Sequence, residues 1–356
     1  MKRRDFVKKG TALGASWVAV GSANQSLASC PSSFSKNRLL NAYYFRAHMY
    51  TMVPRQVRED MEWMADLGTH VVTIAVLEQD LFAAVENIEI VCREAERVGM
   101  AVHAVPSRWA GIFAGAPKVP SLFSVLHPDT WVLKKDGTPL VSSVSGVISS
   151  IHHPATYKFF CESLTTLLEQ WPIRGIMWDE PKSYGWDYSP QAVEALGAEA
   201  SFEDHLQATT RFHSRLNQFV KKNYPHVTTS LFDQAHYSDQ IVAAVAQVEH
   251  LDYLGCDGRP WYDRDGGREE GRGKNLLGEQ AGERFLKAAR ASDKKTLWLI
   301  ENHNLATKDI DLMNRRLPEI VAQGVDQLIY YYYPRSVAEP DRAMHVIKKH
   351  LRNYGQ

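Results

Sequence analysis

Eight short apolar runs, each divided from the next by a stretch with helical periodicity, constrain this chain more than any other feature. The runs are Leu40–Phe45, His70–Leu77, Ala101–Pro106, Gly175–Asp179, Val227–Phe232, Tyr253–Cys256, Leu297–Ile300 and Gln327–Tyr332. They are rich in β-branched and aromatic residues and mostly lack the polar alternation of a half-wet sheet, as strands buried on both faces do. Between them the helical period recurs. Pro54 opens a stretch in which Val57, Met61 and Met64 share a face, and Gly68 stops it. Phe160, Leu164, Leu167 and Leu168 form an apolar face before the fourth run, and Phe212, Leu216, Phe219 and Val220 do so before the fifth. Eight strands alternating with helices predict an α/β fold, a (β/α)8 TIM barrel. A doubly wound open sheet is the alternative, but no glycine-rich dinucleotide fingerprint follows the first run.

The opening segment predicts export. Met1 to Lys9 reads MKRRDFVKK, with Arg3 and Arg4 paired; Ala12, Leu13, Ala15, Trp17, Val18 and Val20 follow, and a small-residue exit ends in Leu27-Ala28-Ser29-Cys30. A charged start, a short apolar middle and a small-residue exit make a secretory signal, and the twin arginines point to the Tat route. The apolar stretch falls short of the roughly 20 residues of a spanning helix, so no transmembrane span is expected. Leu-Ala-Ser-Cys also resembles a lipobox, which would make Cys30 a lipid anchor. The predicted organisation is a signal over 1–29, a short tether over 30–37 and one barrel over 38–356.

Lysine plus arginine and aspartate plus glutamate both number 41, so no net charge suggests a nucleic-acid partner. The four cysteines form no CxxC pair, and beyond Cys30 they read as buried thiols rather than a zinc knuckle or disulfide framework. No Walker loop or GxSxG is present, and Ser145-Gly146 lacks a strand-turn-helix setting. Nothing reads as an iron–sulfur, molybdenum, flavin or nicotinamide site, so neither cofactor nor metal is expected. Adjacent His152 and His153 cannot face one ion from a regular helix.

Three strand-to-helix connections are long. That after strand 3 carries Trp109, Phe113, Phe123 and Trp131; that after strand 4 carries Tyr184, Trp186 and Tyr188; that after strand 6 begins with Trp261 and Tyr262. In barrels these connections lie on the face where chemistry happens, so a deep, aromatic-lined cleft is expected there.

Carboxylates stand at four strand ends. The fourth strand runs Gly175-Ile176-Met177-Trp178-Asp179-Glu180-Pro181, the seventh ends Ile300-Glu301-Asn302-His303, the fifth ends at Asp233 and the sixth at Asp257. Acids are rarely left at the end of a buried strand unless paired or functional. Consecutive strand residues face opposite ways, so Asp179 and Glu180 both reach a cleft only if the chain is already turning. Such a rim can bind a metal or supply the acid and base of glycosidic hydrolysis; nearby aromatics, on which sugar faces pack, favour the second. The bland alternative is that some of these acids pair with barrel-top arginines such as Arg46, Arg108 and Arg335.

Trp178-Asp179-Glu180-Pro181 with Glu301 resembles the layout of the clan A retaining glycosidases. The resemblance implies that Glu180 is the acid/base and Glu301 the nucleophile, steadied by Tyr253 or a strand-eight tyrosine. Asp179 departs from the asparagine usual in that clan. His127-Pro128-Asp129-Thr130-Trp131 with Asp136-Gly137-Thr138-Pro139 resembles a segment of the wider set of glycosidase-like barrels. In several of those the first acid on strand four is catalytic, which implies an alternative pair, Asp179 with Asp257. A carbohydrate substrate is implied, contacted by Arg46, Trp109, Trp178, Trp186, Asp233, Asp257, Trp261, Asn302 and Tyr332. Two rivals are a metal-dependent sugar isomerase or epimerase using Glu180, Asp233, His236 and Glu301, and a noncatalytic carbohydrate-binding lipoprotein.

Overall fold

A computed structural model of the protein describes residues 38–44, 52–115, 117–259, 276–277, 281–352 and 354–355. The expected signal and tether, with Cys30, and the candidate residues Arg46 and Trp261 lie outside the described residues.

Eight parallel strands close a barrel: β1 (Leu39–Tyr44), β2 (Val71–Val76), β3 (Ala101–Pro106), β4 (Ile173–Asp179), β5 (Thr228–Gln234), β6 (Tyr253–Gly258), β7 (Lys295–Ile300) and β8 (Gln327–Tyr332). Each pairs with its neighbours in sequence, and β8 returns to β1 with Tyr331 beside Tyr43. Closure excludes the open doubly wound sheet. One principal helix follows each strand: α1 (Pro54–Leu67), α2 (Val85–Arg97), α3 (Pro154–Gln170), α4 (Phe202–Asn223), α5 (Asp239–Ala246), α6 (Gly282–Ala291), α7 (Thr307–Ala322) and α8 (Pro340–Leu351). Pro54 opens α1, and Gly68 closes it at φ 94°, a left-handed conformation that costs glycine nothing.

The strand period of two divides the core. Tyr43, Ala75, Val105, Met177, Phe232, Leu299 and Tyr331 point into the barrel, while the alternate residues meet the apolar stripes of the helices. Gly255 lies on β6 against β7, and a Cβ there would land on the carbonyl oxygen of Leu297. No helix among the described residues is long and apolar enough to cross a membrane. Cys92 and Cys161 carry free thiols, and burial pushes that of Cys92 up to about 12.

The connection after β3 holds a short helix (Leu122–Leu126) and a two-stranded hairpin (Val141–Ser142 with Gly146–Val147). Buried Glu78 anchors it. Its two oxygens accept from Ala110 N (3.0 Å), Ser121 Oγ (2.6 Å) and Phe123 N (2.7 Å). The connection after β4 carries another short helix (Pro190–Leu196). Most of the connection after β6 lies outside the described residues.

Candidate active site

The C-terminal ends of β4, β6 and β7 deliver four carboxylates to one pocket of about 380 Å³. Strand parity aims Asp179 inward, two residues after Met177. Glu180 should then point away, but its φ is 38°, left-handed backbone that a side-chain-bearing residue adopts only under constraint. Its amide donates to Phe232 O of β5 at 3.0 Å, so the chain is still tethered while it turns. The two acids therefore reach the same pocket from adjacent positions. Asp257 and Glu301 arrive by ordinary parity from β6 and from the end of β7. One oxygen each of Glu180, Asp257 and Glu301 can be chosen so that all lie within 4.8 Å of one another.

Each acid is held differently. Oε2 of Glu180 accepts from Lys182 Nζ at 2.7 Å and from Gln234 Nε2 at 2.6 Å. Glu301 pairs with Arg259, Nε to Oε2 at 3.5 Å. Asp179 accepts from the Tyr43 hydroxyl at 3.2 Å. Burial, and then the Glu180 charge beside it, push the Asp179 carboxyl up to about 7. Burial and the nearby Glu301 hold the Tyr331 phenol well above its ordinary range, so it remains a hydrogen-bond donor at the cleft floor. Tyr43 and Tyr331 pack with ring centroids 5.4 Å apart.

Several residues expected to touch substrate are turned elsewhere, mainly by the same parity. Trp178 faces outward, donates from Nε1 to Asn217 Oδ1 at 2.8 Å and stacks on Phe113. Trp109 is fully buried, bonded to Val76 O at 2.9 Å and packed against Phe159 and Phe160. Tyr332 points out of the barrel to Asp60 at 2.8 Å; Tyr331, one residue earlier, is the strand-eight tyrosine in the pocket. Tyr253 lines the barrel interior but not the pocket. Asn302 spends its amide on the backbone of Tyr331, donating to its O and accepting from its N, which extends the β7–β8 ladder by side chain. Asp233 is buried behind the wall, where Tyr184 donates to Oδ2 at 2.7 Å, Oδ1 lacks a partner and burial pushes the carboxyl up to about 8. Trp186 is half-exposed, stacks on Tyr188 and borders a separate hollow with His152 and His205. The loop aromatics Trp109, Phe113 and Phe123 thus pack the body of the protein, and the aromatic surface of the pocket comes from Tyr43 and Tyr331.

The ligand set expected for a metal-dependent isomerase does not assemble: Asp233 faces outward and His236 is exposed against Tyr237. The acids that do converge, Glu180, Asp257 and Glu301, could offer oxygens to a cation, but Lys182 and Arg259 already engage two of them. Sequence reasoning missed Tyr43, Lys182, Gln234, Arg259 and His303 around the acids. Gln234 and Tyr43 were findable, since each shares parity with an inward neighbour on its strand; Lys182 lies in a turn, where no periodicity applies.

No protein-family profile matches the chain, and no curated protein matches it. Its fold is that of solved glycoside hydrolases. It resembles a β-galactosidase from the psychrophilic Marinomonas ef1 (TM-score 0.62, 10% identity, 88% of this chain and 59% of that one). It resembles the catalytic domain of a β-amylase from Paenibacillus polymyxa (TM-score 0.61, 10% identity, 91% of this chain and 100% of that one). It also resembles an endo-β-1,4-mannanase from Thermotoga petrophila (TM-score 0.56, 9% identity, 91% and 78%). The chain spans less than two thirds of the galactosidase's length. At these identities the shared property is the TIM barrel.

Proposed function

We propose that the protein is a glycoside hydrolase that cleaves its substrate with two carboxylates from the ends of β4 and β7. The observation that carries this is the convergence of Glu180 and Glu301 oxygens to within 4.8 Å in a pocket at the barrel mouth. A spacing near 5 Å suits a retaining mechanism, in which one carboxylate attacks the anomeric carbon and leaves no room for a water between the pair. Glu301, paired with Arg259, is the nucleophile. The Asp179–Glu180 pair supplies the proton to the leaving oxygen; Asp179 retains it near neutral pH, and Glu180 is the member set at retaining distance. Water then enters, the same pair takes its proton, and the glycosyl–enzyme bond breaks. The similarity of fold to a galactosidase, an amylase and a mannanase agrees with a carbohydrate substrate.

Glu301→Ala on any glycoside, and Glu180→Gln on a glycoside with a poor leaving group, are each expected to lower kcat by about a thousandfold. Azide should restore Glu301→Ala by forming a glycosyl azide. Glu180→Gln and Asp179→Asn should spare substrates with acidic phenol leaving groups, which depart without a proton. Full activity in Glu301→Ala, or in Glu180→Gln on a glycoside with a poor leaving group, would overturn the assignment.

Arg3, Arg4 and the small-residue exit at Cys30 support export by the Tat route, with Cys30 as a lipid anchor or the product released. Cell fractionation tests this: changing Arg3 and Arg4 to lysine should strand the protein in the cytoplasm.

A further inference from the structure

The inside of a TIM barrel is filled by layers of four side chains from alternate strands, mostly branched and apolar. One layer of this barrel is polar. Its members follow from register, because a layer steps two residues along the chain for every two strands crossed. Asn41 pairs with Val71 and Val71 with Ala101, so His103, two residues on, stands level with Asn41. His103 leads through Gly175 and Thr228 to Ser230, and Ser230 leads through Tyr253 and Lys295 to Leu297. Leu297 leads through Gln327 and Leu39 back to Asn41, which closes the circuit. The layer is therefore Asn41, His103, Ser230 and Leu297, with Gln327 in the layer beneath.

All four polar residues are buried. Thr73 donates from Oγ1 to Asn41 Oδ1 at 2.9 Å, which occupies one end of that amide. Asn41 Nδ2, His103 Nδ1, Ser230 Oγ and both amide atoms of Gln327 have no hydrogen-bond partner among the described residues. A buried polar atom left unpaired bears its full desolvation cost, and native interiors keep few of them. Here several come from strands distant in sequence and share the centre of the barrel.

Their chemistry selects what can serve them. An amide nitrogen only donates, the Gln327 carbonyl oxygen only accepts, and a hydroxyl or a neutral imidazole does both. Burial pushes His103 down to about 4, so its ring is neutral at pH 7. A cation would leave the amide nitrogens unserved and an anion the carbonyl oxygen, and either would sit among neutral groups without a counter-charge. Exchanging the oxygen and nitrogen of either amide changes which atom is served and nothing else. Water alone donates and accepts at one small centre. Two residues further along the same strands stand Tyr43, Val105, Phe232 and Leu299, an inward layer that divides this one from the acids at the mouth.

We infer that the middle of the barrel is a site for ordered water, bridging Asn41, His103 and Ser230, extending to Gln327 below and closed from the cleft above. The inference is independent of the hydrolase reading.

A crystal structure of the full chain, at a resolution that shows ordered water, tests it directly. Density is expected about 2.7–3.2 Å from Ser230 Oγ and from the Asn41 amide, with spacing typical of hydrogen bonds. Relaxation dispersion of water oxygen-17 on the native chain should report buried water that exchanges slowly. Ser230→Val, which replaces the hydroxyl by a methyl group and adds another, should lower the amplitude by the share of at least one molecule. Polar side chains bonded to one another with no density between them would overturn the inference. So would a peak at the shorter distances of a coordinated metal ion, or an amplitude unchanged in Ser230→Val. Should that variant fail to fold, the native crystal structure decides alone.

Discussion

Glu78 and Asp179 are both buried carboxylates near the C-terminal rim of the barrel, yet their surroundings differ in kind. Glu78 receives three donors, two of them backbone amides, from the connection after β3. Burial still raises its carboxyl, but each donor opposes the shift. Asp179 receives one tyrosine hydroxyl at 3.2 Å and sits beside a second carboxylate, and it rises to about 7. The first acid is used up by the fold; it fastens a long loop to the barrel. The second keeps hydrogen-bonding capacity and a proton in reserve, which is what a group facing substrate needs. Glu94, surrounded by Arg58, Arg93 and Arg97, belongs with Glu78 and is held down to about 2.

The contrast is sharpest when each acid is replaced by its amide, which keeps the shape and removes the titrating proton. Asp179→Asn should cut turnover of an unactivated glycoside by about 10²–10⁴-fold while the fold survives. Thermal unfolding should also report the lost proton. Between the ordinary 3.8 and about 7, the folded chain holds a proton on Asp179 that the unfolded chain releases. Stability therefore falls as pH rises through that window and levels off above it. Asp179→Asn should flatten this slope, leaving the share that comes from Asp233, raised to about 8. An unchanged slope would remove Asp179 from the group of raised acids.

Glu78→Gln should do the reverse, lowering stability by about 2–3 kcal/mol through two backbone amides left with a weaker acceptor. Protease cleavage within residues 107–126 should quicken, because that segment loses its anchor. If Glu78→Gln matches the native chain in urea unfolding, the division between structural and functional acids fails. The smallest effect belongs to Tyr43→Phe. Removing the donor that favours ionised Asp179 should shift the alkaline limb of the pH–rate profile upward by up to about one unit. A downward shift would mean that the hydroxyl serves the neutral acid instead.

Much of this architecture was legible in the chain. All eight strands fall within a few residues of their apolar runs, because a strand buried on both faces has no polar alternation to obscure it. The acids at the ends of β4, β6 and β7 were legible for a related reason: an ionisable residue is costly at that position and stands out. The aromatic contacts were not. Trp109, Trp178 and Tyr332 are large rings near the rim, and residue type alone does not say which side of a wall a ring occupies. A shift of one residue in parity moves Tyr332 out of the pocket and brings Tyr331 in.

Sequence alone gives eight buried strands alternating with helices, a periodicity that a barrel shares with an open doubly wound sheet, and it places acids at the strand ends. Tertiary structure decided which of them work together. The φ of 38° at Glu180 sets two consecutive acids on one side of the wall, against the alternation of an ordinary strand. Burial and an adjacent carboxylate push the Asp179 carboxyl up to about 7, and buried Arg108 donates to the carbonyls of Gly115 and Pro117. Each of these depends on groups far apart in the chain meeting across a few ångströms, and local sequence encodes no such distance.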